Sequence, residues 1–412
     1  METKIKIGLF GFGCVGGGLY EVLNQSKLLN AEIVKICVKS KDKERSIDAS
    51  HFTFEKDDLL NNSEINTIVE LIDDADAAYE IVTTAFRKGK NVVSANKKLI
   101  ALHLEELIQL SRKHQVSFLY EASTCASIPV IRNLEEYYNN DSLSKIEGIC
   151  NGTTNYILTQ THAFGKSYEE VLKEAQDLGF AETDPTMDVD GFDSKFKLDI
   201  LIAHTFGKIV EVGEILNIGI RNIKEEDVNF GREKGLKIKL ISRAEKIGDK
   251  VIGFVAPHFV PEDHFAYNVE NEYNCVAIQA LFSDKQFFLG KGAGSYPTAS
   301  AVLSDISALQ FDYNYEYKKF KTGGDLEYSN EFYAKVYVGS PYKLTDEIEF
   351  VNIEESYSGL EYHYKIGWVK FSSLASVDFN KREDLFISFF SEDVKFEKTK
   401  DESRVEALEA AL

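Results

Sequence analysis

Lys4-Ile5-Lys6-Ile7-Gly8-Leu9-Phe10 runs directly into Gly11-Phe12-Gly13-Cys14-Val15-Gly16, and this stretch decides the fold. The first seven residues read as a strand. Val15 to Leu23 continues with the apolar spacing of a helix. A Gly-x-Gly-x-x-Gly between a strand and a helix is what a dinucleotide-binding βαβ unit needs. It supplies a tight turn, close backbone approach to a pyrophosphate and a helix N-terminus aimed at the anion. A glycine-rich turn in another α/β protein looks the same, so the flanking chain has to carry the reading.

It does. Glu32–Val38 is a second strand, Thr67–Ile72 a third, Asn91–Ser94 a fourth and Val116–Tyr120 a fifth. Helical patterns over 76–88 and 101–114 alternate with them. That alternation predicts a Rossmann-type doubly wound parallel sheet over residues 1–135, an α/β fold. Ligands in such sheets bind past the C-terminal strand ends, where Ser94, Lys97 and Glu121 stand. Lys97 taken alone reads as a surface lysine; its place just after a strand makes an active-site role an equal reading.

An NAD site places an acid after the second strand to bind the ribose 2′-hydroxyl. Here the chain reads Lys39-Ser40-Lys41-Asp42-Lys43-Glu44-Arg45. Asp42 is available, but cations dominate and suit a 2′-phosphate. NADP is therefore the expected cofactor, with NAD admitted.

Composition narrows the partners. A net charge of −20 argues against nucleic acid and anionic membrane surfaces. No apolar run is long enough to span a bilayer, and Met1-Glu2-Thr3-Lys4 leads straight into a strand with no signal peptide. Five cysteines without a CxxC pair read as reduced thiols in a cytoplasmic protein. The eight histidines show no metal-ligand spacing, and His204 reads as a core or capping residue.

Residues 136–310 read as an α+β domain, for which the resemblance given below implies substrate binding and dimerisation, with 311–324 returning toward the first domain. Ser144–Cys150 is a strand, Asn151-Gly152-Thr153-Thr154-Asn155 a polar turn opening a helix from Tyr156, and Tyr168–Leu178 a helix. Strands follow near 236–246, 250–256 and 273–282, then a flexible glycine-rich run from Leu289 to Ser295 and a helix start at Pro297. Residues 325–412 read as a small α+β appendage, with strands at 332–338 and 362–371 and one or two more over 383–398.

Between the helix ending at Leu178 and an apolar helical run to Phe206 lies an acidic loop. Glu182, Asp184, Asp188, Asp190 and Asp193 put five carboxylates in it. A calcium loop is excluded. Aligned on Asp188-Val189-Asp190-Gly191, its first ligand would be Thr186 and its twelfth Lys197. The stretch is thus a solvated surface loop or an active-site loop. Asp190 is the expected N-cap, with Asp193 at the capping-box position. Asp193 and Lys197 then share one helix face at i and i+4. A lysine there, partly buried near a helix N-terminus, is expected to have a lowered pKa and to give or take a proton.

With these segments in view, the chain resembles homoserine dehydrogenase over roughly residues 4–310. The resemblance rests on Gly11–Gly16; Ser94-Ala95-Asn96-Lys97; Asn151–Leu158; Glu174-Ala175-Gln176 through Asp193 and Lys197; and Gly292-Ala293-Gly294 with Pro297-Thr298-Ala299-Ser300-Ala301-Val302. It implies NAD(P)-dependent interconversion of L-homoserine and L-aspartate 4-semialdehyde, on the route to threonine and methionine, by a homodimer. It further implies Lys197 as proton donor and acceptor, Lys97 as a second catalytic lysine, and Asp193 in support. Glu182, Asp188, Asp193 and Thr153 would bind substrate. Phe12, Gly13, Cys14, Val15, Gly16, Lys39, Ile72, Ser94, Lys97 and Gly294 would bind the dinucleotide. Glu121, Thr124, Ala126 and Ile128 would correspond to the family's sodium site.

Three departures stand out. Asp73 and Asp74 replace glycines, Thr124-Cys125-Ala126-Ser127 replaces a glycine-rich loop, and the tail lacks the Asp-x-Pro-Gly-Val-Leu run of the family's amino-acid-sensing domain, so threonine feedback is not expected. The departures motivate two alternatives: a non-catalytic NADP-binding regulator of the same fold, and a dehydrogenase of a related amino-acid aldehyde.

Overall fold

The computed structural model describes residues 4–26, 29–140, 142–322, 326–344, 348–391 and 394–396. Six parallel strands form the first sheet: β1 (Ile5–Phe10), β2 (Ala31–Cys37), β3 (Phe52–Thr53), β4 (Thr67–Glu70), β5 (Asn91–Ser94) and β6 (Phe118–Leu119). Their spatial order is β3-β2-β1-β4-β5-β6. The chain reverses its winding between β1 and β4, which opens a crevice at their C-terminal ends. Helices Cys14–Gln25, Ala75–Arg87 and Lys97–His114 supply the crossovers. β4 is buried at every position, as a strand covered on both faces should be.

Eleven strands form the second sheet. They are β7 (Leu143–Ile149), β8 (Leu216–Asn217), β9 (Lys237–Ile247), β10 (Lys250–Val260), β11 (Tyr273–Ala280), β12 (Asp284–Lys291), β13 (Glu327–Tyr328), β14 (Tyr333–Ser340), β15 (Phe350–Ser358), β16 (His363–Lys370) and β17 (Phe386–Phe390). The order is β12-β11-β7-β9-β10-β17-β14-β16-β15, with β8 and β13 also on β10. The strands after residue 325 thus extend the sheet of the preceding region. The junction is β10 against β17, where His258 faces Phe389 and Phe259 faces Phe390. Phe254 of β10, Phe332, Phe371 and Phe389 form one aromatic cluster across it, with the Phe332 and Phe371 rings stacked at 4.3 Å.

The helix Phe192–Phe206 lies between the two sheets. It packs on β7, β9 and β10 on one side and on helix Lys97–His114 on the other. Every residue from Asp193 to Phe206 is buried. His204 is a core residue there: its ring meets the Tyr120 hydroxyl at 2.8 Å and Glu135 at 2.6 Å. The segment after 311 runs back along β6, where Asn314 and Tyr315 accept the Phe118 and Tyr120 backbone N–H groups.

Several element limits differ from the sequence expectations. Helix Lys97–His114 begins four residues early, because Asn96 accepts the Leu99 N–H at 2.9 Å and caps it. Helix Gly152–Phe164 also begins four residues early, capped by Asn151 on the Thr154 N–H at 2.8 Å. Of the run expected to be flexible from Leu289, the first three residues end β12, an edge strand with alternating exposure, and Ser295 opens the next helix. β15 escaped prediction because it is a mostly exposed edge strand with little apolar patterning.

Glu70 ends β4 in full burial. Its carboxylate accepts the Ser94 hydroxyl at 2.6 Å and the Ile72 N–H at 2.8 Å, tying β4 to β5 at the crevice floor. Burial raises its pKa to about 7, against the lowering effect of those two hydrogen bonds. A carboxyl raised in this way keeps its proton in the folded state when the unfolded chain has lost it. The fold is therefore favoured on the acid side and loses stability as pH rises from the unfolded value through about 7. Thermal unfolding from pH 5 to 8 should show a smaller decline for Glu70→Gln than for the native chain, by about 1–3 kcal/mol. Parallel curves would mean that Glu70 does not carry the proton.

Candidate active site

The dinucleotide turn has the geometry its glycines predict. Gly11 has φ +94°, and a Cβ there would lie 2.5 Å from the Leu71 carbonyl oxygen. A Cβ on Gly16 would lie 2.4 Å from the Gly11 carbonyl oxygen, so the helix start is pressed onto the turn. Gly13 faces open space and is the N-cap of helix Cys14–Gln25 without any side-chain cap. Those N–H groups are open to an anion. Phe12 packs edge-on to Phe52 at 5.1 Å, and Ser295, next to Gly294, donates to the Cys14 carbonyl at 2.8 Å. Gly294 therefore sits beside the turn, where the helix Ser295–Leu309 packs on Cys14–Gln25.

Beyond β2, Lys39 is exposed, Lys41 lies over Phe54 at 5.2 Å and Arg45 over Phe52 at 5.0 Å. Asp74 is engaged elsewhere: its carboxylate caps helix Ala75–Arg87 by accepting the Asp76 and Ala77 N–H groups at 3.1 and 3.0 Å. Ile72 offers its carbonyl to Asn96 at 3.0 Å. Ser94 is buried, with its hydroxyl turned to Glu70, so it shapes the crevice floor and presents no free hydroxyl.

At the crevice mouth one carboxylate gathers two lysines. Lys97 Nζ lies 2.8 Å from Asp193 Oδ1, and Lys197 Nζ lies 2.8 Å from Asp193 Oδ2. Lys97 comes from the first residue of a Rossmann-side helix, and Asp193 and Lys197 from the helix under the second sheet. Lys197 also donates to the Cys150 carbonyl at 2.7 Å. Asn151 donates to both Asp188 at 2.7 Å and Asp193 at 2.9 Å. Two cations and two carboxylates thus meet here, Asp193 and Lys197 buried, Lys97 and Asp188 half-buried toward the mouth.

The electrostatics correct two expectations. Burial pushes the Asp193 carboxyl up, but Lys197 and Lys97 together hold it well below the usual carboxylate range. Burial likewise pulls Lys197 down, yet its partner Asp193 outweighs that and holds the ammonium above the ordinary lysine value, where a lowered pKa was expected. Asp188 is raised, by burial first and by Asp193 second. Asp190 is not the N-cap. Gly191 is, at φ +81°, and the Asp190 carboxylate is held by Arg221 instead, at 2.8 and 3.0 Å.

Glu182 stands exposed at the loop tip, its carboxylate without a hydrogen-bond partner among the described residues. The loop around it is held by Thr153, whose hydroxyl donates to the Phe180 carbonyl at 2.7 Å, and by Gln176, which donates to the Glu182 carbonyl at 3.0 Å. Asn151 was legible only as a helix cap, and Arg221 carried no sequence signal at all.

At the expected sodium loop the Glu121 carboxylate is already engaged. Glu121 Oε1 accepts the Val130 and Ile131 N–H groups at 2.7 and 2.9 Å, and Oε2 accepts Arg132 N–H at 2.8 Å. The carboxylate thus caps the following helix. Ala126 adopts φ +45°, the conformation a glycine would take without strain. Among the described residues no group of three or more His, Cys, Asp or Glu is placed to hold a metal ion.

Comparison with known proteins identifies the family. The model of the homoserine dehydrogenase NAD-binding domain matches residues 11–121, and the homoserine dehydrogenase model matches 129–307. The homoserine dehydrogenase of Bacillus subtilis (strain 168) is 38% identical over 314 residues, covering 74% of this chain and 72% of that protein. The crystal structure of a homoserine dehydrogenase from Thiobacillus denitrificans superposes with a TM-score of 0.83 at 27% identity, covering 94% of this chain and 98% of that one. A hyperthermophilic archaeal homoserine dehydrogenase in complex with NADPH matches at TM-score 0.66 and 25% identity, over 76% of this chain and all of that one. A Rossmann crevice, an acidic loop and a lysine-flanked aspartate thus coincide with these matches, and the chain belongs to the homoserine dehydrogenase family, oxidoreductases that act on a CH–OH group with a pyridine nucleotide.

Proposed function

We propose that the Lys97–Asp193–Lys197 cluster is the catalytic centre for the interconversion of L-homoserine and L-aspartate 4-semialdehyde. The observation that carries this reading is a single buried carboxylate gripped by lysines from both halves of the chain. The dinucleotide, when bound, supplies or accepts the hydride. In aldehyde reduction Lys197, charged at rest, gives its proton to the substrate oxygen. Lys97 adds a second positive charge beside the developing alkoxide. In homoserine oxidation Lys197 takes the hydroxyl proton. Glu182 and Asp188 hold the substrate ammonium, with Thr153 fixing the loop that carries Glu182, so the reacting carbon is kept near the nicotinamide.

NADP is the preferred dinucleotide in this proposal, supported by Lys39, Lys41 and Arg45 after β2, and NAD remains a substrate. Phe12 to Gly16 and Gly294 frame the pyrophosphate, and Ile72, Ser94 and Lys97 line the route to the substrate. A sodium ion, held by the carbonyls of Thr124, Ala126 and Ile128 near Glu121, would stiffen the loop that borders the site. The working form is a cytoplasmic homodimer in threonine and methionine synthesis. Four of five cysteines are buried thiols, and Leu281, Phe282, Phe287 and Leu289 form an exposed apolar edge around β12, which suits a second copy. Residues 1–135, 136–310 and 325–412 are taken as its three units. The regulator alternative loses ground to the capping role of Asp74.

Nicotinamide absorbance with L-homoserine tests the roles directly. Lys197→Ala should lower kcat by about a hundredfold or more while dinucleotide binding persists. An active variant removes Lys197 from proton transfer. Lys39→Glu should raise KM for NADP more than for NAD, whereas an equal effect on both would sink the 2′-phosphate assignment.

A further inference from the structure

Arg221 lies outside the cluster of lysines and acids, yet it holds the loop that carries one of them. Its Nε donates to Asp190 Oδ1 at 2.8 Å and its Nη2 to Asp190 Oδ2 at 3.0 Å, a two-pronged grip on one carboxylate. The same Nη2 reaches the Thr186 hydroxyl at 3.2 Å. Thr186 and Asp190 bracket the short helical turn Thr186–Val189, on which Asp188 projects toward Asn151 and Asp193. One guanidinium therefore clamps both ends of the turn that aims Asp188.

The chain around Arg221 completes the clamp. The Ile220 N–H donates to the Val189 carbonyl at 2.7 Å, and Asn217 donates to the Asp190 carbonyl at 2.7 Å. A Cβ on Gly219 would lie 2.1 Å from the Val189 oxygen, so the two backbones are as close as glycine permits. On its far side the segment is tied to the C-terminal region. Asn222 donates to the Phe379 carbonyl at 2.7 Å and the Arg382 carbonyl at 3.0 Å. Ile218, Gly219, Arg221 and Asn222 face Phe379 and Phe386 across the same contact.

We propose that Arg221 is a positioning residue for substrate recognition, and that the C-terminal segment around Phe379–Phe386 braces it through Asn222. The proposal rests on Asp188 helping to hold the substrate ammonium. It assigns the last strands a task in catalysis: they back the wall against which the acidic turn is set. Arginine is required because only its planar fork engages both carboxylate oxygens at once.

The test is steady-state kinetics on full-length Arg221→Lys, Asn222→Ala and Asp188→Asn, with thermal unfolding and NADP affinity measured on each. Arg221→Lys keeps the charge and loses the fork. It should raise KM for L-homoserine about tenfold, the scale of one charge-assisted hydrogen bond, with NADP affinity unchanged and kcat changed less than KM. Asn222→Ala should move the same parameter in the same direction by about threefold, by losing one neutral donor. If Arg221→Lys leaves KM for homoserine unchanged, or lowers kcat, NADP affinity and unfolding temperature together, the positioning role is overturned. If only Asn222→Ala is silent, the C-terminal brace is overturned. Asp188→Asn separates the underlying assumption: a normal KM there removes Asp188 from ammonium binding, whatever Arg221→Lys does.

Discussion

The rest of the site depends on one buried charge, the carboxylate of Asp193. Burial pushes its pKa up, and Lys197 and Lys97, each 2.8 Å away, hold it well below the usual carboxylate range. Removing one partner from such a buried group leaves an uncompensated charge, at a cost of about 3–5 kcal/mol. Asp188 and Asn151 complete the arrangement, so two ammonium groups face two carboxylates with an amide between them. The arrangement is a poor way to gain stability and a good way to keep a lysine charged in a dry corner. It also spans the chain, since Lys97 belongs to the nucleotide-binding half and the other groups to the second sheet. The two halves therefore meet at this one carboxylate.

What was legible in the sequence follows from range. The glycines of Gly11–Gly16 act on their own backbone, so the tight turn they make is written in a few consecutive residues, and the structure has that turn. The Asp193–Lys197 pair is four residues apart on one helix, so spacing alone finds it. The direction of the Lys197 shift was not legible, because burial and its partners oppose each other and geometry decides the balance. The Asp190 cap failed for a related reason: Gly191 enters the helix at positive φ, and Asp190 is claimed by an arginine thirty-one residues further on. Arg221 sits in no motif, and no local pattern announces a partner at that separation.

The C-terminal region shows the same limit at the level of the fold. Aromatic and β-branched runs predicted strands, and strands formed. That they join the central sheet through β10 and β17 depends on Phe254 meeting Phe332, Phe371 and Phe389, partners far along the chain. One sheet then reaches from the β12 edge, past the helix of Asp193 and Lys197, to the last strand. A change in the tail has a short mechanical route to the acidic loop.

Asp193 keeps Lys197 charged against burial, and the pH dependence of homoserine oxidation measures this. In the proposed mechanism oxidation needs Lys197 in its neutral form, so in the native chain the rate should climb toward alkaline pH. Replacing Asp193 with Asn removes the counter-charge and leaves burial unopposed. The residual rate of Asp193→Asn should then rise at lower pH than that of the native chain. A limb that stays where it was, or moves to higher pH, would contradict the account.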